Sequence, residues 1–205
     1  MSALRFLPAA ALLLAGVVLA QEKPKKPGPN EPSPQTRAFF IDGVKSESDV
    51  KAITDAVMKV NSVTKVDKLT PTSGFANISF DHHAVTHQQI AQAIADAGPF
   101  KASFRFAIPD YAAHAEQIDA IFGKVKEEVQ IEATNKEKGE FTLKFLPLKP
   151  GKPGPHGIGF NFGKIGHPVT DPAPKGLGLK MVSIAPAGPK QPITKKPTTR
   201  RRVRN

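Results

Sequence analysis

The chain has 205 residues, with 29 Lys and Arg against 18 Asp and Glu, and it contains no cysteine. That absence excludes a disulfide framework, a lipid-modified cysteine and any thiolate metal site, so stability rests on packing. The formal net charge of +11 is uneven: residues 36–108 hold eight basic against seven acidic side chains, residues 109–146 five against eight, and residues 147–205 twelve against Asp171 alone. The basic excess therefore describes a tail and not a folded surface.

Residues 1–20 read as an export signal: Arg5, an apolar run from Phe6 to Leu19, and the small-residue cleavage site Val18-Leu19-Ala20 before Gln21. The run falls short of the roughly 18 apolar residues of a membrane-spanning helix and has polar flanks, which favours cleavage over an anchor. The expected location is periplasmic or extracellular. Residues 21–35 form a linker in which Pro24, Pro27, Pro29, Pro32 and Pro34 favour extended structure.

Residues 36–108 carry a strand–helix–strand–strand–helix–strand pattern. Ala38 to Ile41 opens as a strand, and Val50, Ile53, Val57 and Val60 give one buried face of a helix from about Ser48, its N-cap, to Val60. A strand follows around Val63 and Val66, then the turn Pro71-Thr72-Ser73-Gly74 and the strand Phe75–Phe80. Thr86 with Gln89 makes a capping box, which starts the second helix at His87 with Val85, Ile90 and Ile94 inward. Gly98 stops it, and Phe100, Ala102, Phe104 and Phe106 alternate along a strand to Ile108.

Residues 109–185 form a second α+β region. Ile118, Ile121, Phe122 and Val125 predict a helix, while Val129–Ala133 and Phe141, Leu143 and Phe145 predict two strands about a turn at Asn135–Gly139. A Pro- and Gly-bearing insertion runs from Pro147 to Gly178, and Leu179–Ile184 supplies a closing strand. Two readings stay open: a degenerate second copy of the first domain, or a helix and hairpin packed on the first domain's sheet. Residues 186–205 are a basic tail, expected to be disordered.

Phe80-Asp81, Val85-Thr86, Ile90, Ala93-Ile94 and Asp96-Ala97-Gly98 resemble the second half of the heavy-metal-associated domain. Gly43 and Val63-x-x-Val66 agree with its first half. The resemblance covers about a third of the chain. It implies an α+β, ferredoxin-like βαββαβ sandwich, here with a smaller second α+β unit and disordered ends. It also implies binding or transfer of a heavy-metal ion by a Cys-x-x-Cys loop between the first strand and first helix. Ser46 and Asp49 stand at those two positions. A serine hydroxyl is a poor ligand, and Glu47 and Asp49 offer only hard oxygens, too few for a hard cation. The loop reads as a degenerate metal loop that caps a helix.

Asp81-His82-His83 and His87 place three imidazoles and a carboxylate within seven residues, a donor set suited to a divalent transition metal such as Zn, Cu(II) or Ni. In the implied fold this corner lies at the other end of the sheet from the loop, about 17–20 Å away, so any site at His82, His83 and His87 is weak and independent of Ser46 and Asp49. Gly157-x-Gly159-x3-Gly163 lacks the strand–loop–helix setting of a phosphate cradle, and His114, His156 and His167 are scattered. No Gly-x-Ser-x-Gly elbow or nucleophile–base arrangement occurs. The expectation is a non-enzymatic binding module whose partner is a metal ion or, in the metal-free alternative, a protein. Its tail is suited to anionic envelope polymers, lipid headgroups or nucleic acid.

Overall fold

The computed structural model describes residues 34–151 and 158–184. The export signal, the linker up to Ser33, His156, Gly157 and the basic tail lie outside the described residues. Among the described residues no helix is long and apolar enough to cross a membrane.

The first part of the chain runs β1 (Pro34–Asp42), α1 (Glu47–Met58), β2 (Val63–Asp67), β3 (Phe75–Asp81), α2 (His87–Asp96) and β4 (Lys101–Ala107). Its strands lie antiparallel in the order β2-β3-β1-β4, which is the ferredoxin-like βαββαβ arrangement. β1 begins four residues earlier than the apolar pattern indicates. Pro34 and Gln35, expected in the linker, pair with Asp81 and Phe80 of β3. Proline is tolerated there because it is the first residue of the strand.

The remainder runs α3 (Tyr111–Gly123), β5 (Val129–Asn135), β6 (Glu140–Phe145), α4 (Gly163–Thr170) and β7 (Val182–Ser183). β6 pairs with the free edge of β4, β5 pairs with β6, and β7 pairs with the far end of β4. Counted from β4, the order is β5-β6-β4-β7, the order of the first unit repeated. The second region is thus a shortened ferredoxin-like unit that uses β4 as its own first strand. The strand order of the first unit is thus repeated on the first unit's own sheet.

α4 falls inside the stretch read as an insertion. Gly163, Gly166 and Pro168 hide its pattern, but Ile165 and Val169, four apart, are fully buried. The closing strand is shorter than expected, because only Val182 and Ser183 reach the ladder.

All four helices pack into one core. α1 contributes Ile53 and Val57, α2 Ile90 and Ile94, α3 Ile118 and Phe122, and α4 Ile165 and Val169. Phe104 packs 4.6 Å from Phe39 and 5.3 Å from Phe145, and Phe106 lies 5.6 Å from Phe141 and 6.2 Å from Phe122, between ring centroids. The β4 rings therefore touch both units. Gly139 closes the β5–β6 turn at φ +63, and a Cβ there would collide with the Ile108 carbonyl, so the turn tolerates little but glycine. Phe106→Ala should cost about 3–5 kcal/mol. Urea unfolding followed by far-UV circular dichroism should show one transition shifted as a whole. Separate transitions for the two units would contradict strand sharing.

Candidate functional site

The loop after β1 turns at Gly43, whose φ of +98 and close approach to the Pro99 carbonyl suit glycine alone. α1 then starts at Glu47 with Ser46, not Ser48, as its N-cap. The Asp49 N–H donates to Ser46 Oγ at 3.3 Å, and the Ser46 N–H donates to Asp49 Oδ2 at 3.0 Å. This is a reciprocal capping box. The Lys45 N–H also donates to Asp49 Oδ2, at 2.9 Å, and the Ser48 hydroxyl pairs with that of Ser46 at 2.7 Å. The Lys45 backbone N–H above all, and then Ser46, hold the Asp49 carboxyl below its ordinary value. The two residues at the expected metal positions are thus committed to each other and to the helix N-terminus.

At the other corner, Asp81 accepts the His83 N–H at 3.0 Å, and the His82 and His83 rings touch at a tilt of 40° with centroids 3.9 Å apart. His83 is exposed, but His87 turns inward and is only 2% exposed. Its ring meets Phe80 and Phe104 edge-on, each at 5.3 Å. His87 Nδ1 accepts the Phe162 N–H at 3.3 Å, which leaves the ring proton on Nε2. Metal ligation through Nε2 would need that proton moved to Nδ1, against the Phe162 donor. The three histidines do not converge: among the described residues no group of three or more His, Asp or Glu side chains could hold a metal ion. The register also pairs Asp81 with Pro34, so the corner and the loop after Asp42 lie at opposite ends of the nine-residue β1.

Burial first, then the charges of Arg37 and His82, drive the His87 imidazole from its ordinary 6.5 down to about 3. Two neighbours of His87 escape sequence reasoning. Gln88 is 2% exposed and its amide is fully used: Nε2 donates to the Glu128 and Leu146 carbonyls at 3.2 and 2.9 Å, and Oε1 accepts the Phe160 N–H at 2.7 Å. The second neighbour is a cavity of about 390 Å³ beside His87, where β1 and β4 part. Neither has a local sequence signal, because both are made by residues remote in the chain: Gln88 by Glu128, Leu146 and Phe160, and the cavity by β1, β4 and the segment 161–170.

No protein-family model matches the sequence, and a search of curated proteins finds no significant match. Solved structures do match in part. One is a copper-binding domain from HMA7, a P-type ATPase, at 27% identity over 33% of this chain and 88% of that one, with a TM-score of 0.31. Two others come from Bacillus subtilis CopA. The water-soluble region of that P-type ATPase matches at 16% identity over 56% and 78% of the two chains, TM-score 0.34, and its N-terminal soluble domains at 17% over 59% and 84%, TM-score 0.33. At such scores the fold assignment rests on the strand order of this chain itself.

The capping box and His87 each yield a measurable expectation. Ser46→Ala should lower stability by about 1 kcal/mol, as loss of an N-cap does, in a denaturant titration. Between about 3 and 6.5 the unfolded chain binds a proton at His87 that the folded chain refuses. Stability is therefore complete above 6.5 and falls as pH drops towards 3, by about 1.4 kcal/mol per pH unit. Urea midpoints of the wild type against His87→Phe from pH 7.5 to 4.5 test this, since the variant should lose that part of the slope.

Proposed function

We propose that this protein is an exported, non-enzymatic binding module of ferredoxin-like architecture that works without a thiolate-held metal. The observation that carries the reading is the capping box: Ser46 Oγ and Asp49 Oδ2 accept backbone N–H groups of the helix start. Cu(I) and other soft ions are held by thiolates, and the chain has none. Export is supported by the sequence of residues 1–20, and the absence of a nucleophile–base pair supports binding over catalysis.

One of the solved structures that match in part is a copper-binding domain, so heavy-metal binding is the reading to test against this one. In competition with a strong Cu(I) chelator, the wild type should retain no stoichiometric copper. Retention would overturn the metal-free reading. The double variant Ser46→Cys with Asp49→Cys should gain Cu(I) affinity, because it restores two thiolates on the same loop. For the histidine corner, zinc titration should show weak binding that responds to His82→Ala and His83→Ala, fades below pH 6 and ignores Ser46. Tight binding abolished by a change in the loop would contradict the separation of the two ends of β1.

A further inference from the structure

We propose that the cavity between β1, β4 and β7 binds a small organic carboxylate with an apolar, ring-sized body, its carboxylate held by Arg37 and by N–H groups of His87 and Asn161. The opening follows from the sheet. β1 pairs with β4 only at Lys101–Ser103, and β7 takes the same edge at Phe106 and Ala107. Between them the edge parts into a cavity of about 390 Å³, within the size range of small-molecule sites.

Its walls supply the apolar part. Phe104 and Phe106 come from β4, Phe162 from the segment leading into α4, and Met181 from the approach to β7. Among the described residues, three buried side-chain atoms lack a hydrogen-bond partner, and two of them, His87 Nε2 and Asn161 Nδ2, belong to residues lining this cavity. Both are donors. His87 Nδ1 is taken by the Phe162 N–H, and Asn161 Oδ1 by the Gly163 N–H at 2.9 Å, so neither ring nor amide can present its acceptor instead. A buried donor without a partner costs about 1–3 kcal/mol, which an acceptor entering the cavity would recover.

The charge around them selects an anion. Arg37 lies close enough to His87 to oppose a positive charge on it, and no Asp or Glu lines the cavity. An ammonium group would be repelled by the Arg37 guanidinium and would find no partner in the two orphan donors, whereas a carboxylate is complementary to all three. The inference does not depend on whether the loop takes metal, so the two readings fail separately.

Phenylacetate is the probe, titrated into the full chain and followed by backbone amide NMR. Benzylamine serves as the control of opposite charge, and inorganic phosphate as the anion without a ring. Phenylacetate should give saturable shifts at Arg37, Phe104 and Phe162 with a Kd below about 1 mM, and neither control should compete. Asn161→Asp keeps the acceptor for the Gly163 N–H but replaces the orphan donor with an acceptor. It should weaken phenylacetate at least tenfold, as should Arg37→Gln at an exposed position, with melting temperatures unchanged. If Asn161→Asp fails to fold, Arg37→Gln carries the test alone. No saturable shift, equal binding of benzylamine, competition by phosphate alone, or unchanged affinity in Arg37→Gln would each overturn the proposal.

Discussion

β4 has two edges and three partners, and the architecture follows from how they are shared. β6 holds one edge over five residue pairs, while β1 and β7 divide the other. A strand in that position is covered along both edges and on its inner face, so its inward residues must be large and apolar. Phe104 and Phe106 meet that demand: Phe104 packs on Phe39 of the first unit and Phe145 of the second, and Phe106 on Phe122 and Phe141 of the second. Sharing a strand also removes an exposed edge that each unit would otherwise present, a recognised route to unwanted pairing. The cost is at the seam: two strands cannot pair with the same residues of β4, so the edge between them opens and the cavity is a consequence of the sharing.

The two units are fastened a second time, at the start of α2. Thr86 and Gln88 bind the segment 158–160 through the Thr86 hydroxyl to the Ile158 carbonyl at 2.8 Å, the Gln88 N–H to the Phe160 carbonyl at 3.3 Å, and the Gln88 amide oxygen to the Phe160 N–H. The Gln88 NH2 group meanwhile reaches the Glu128 and Leu146 carbonyls. Every polar atom of this buried amide is satisfied, which is the condition under which buried polarity specifies a unique arrangement instead of weakening the core. It brings Phe160 and Phe162 over α2, and Phe162 in turn supplies the N–H that fixes the His87 tautomer.

The first unit was legible because its elements are local and regular. The Thr86–Gln89 box, the stop at Gly98 and the alternation of Phe100 to Phe106 each declare an element within ten residues, and all three are in the fold. α4 was hidden by its own composition, since two glycines and a proline outweigh the single buried pair Ile165 and Val169; it exists because the core accepts that pair. The first helix began two residues early because Ser46 and Ser48 are equal as caps by residue type, and only Asp49, three residues after Ser46, distinguishes them. His87 misled for a different reason. Beside His82, His83 and Asp81 it reads as a metal ligand, and nothing nearby reveals that Phe39, Phe80, Phe104 and Phe162 surround it.

The loop shows how a structural cap can occupy the two positions that the resemblance assigns to a ligand site. A helix start presents unsatisfied N–H groups, which favour a thiolate or an oxygen acceptor alike. With thiolates at both positions, the lone pairs stay soft and free to hold an ion, and the helix start lowers their pKa. With Ser46 and Asp49 the same N–H groups are satisfied by hydrogen bonds to Ser46 Oγ and Asp49 Oδ2. The fold therefore keeps its helix start without metal. Because the box sits at one end of β1 and the buried His87 at the other, nothing in the loop constrains what the seam beside His87 can bind.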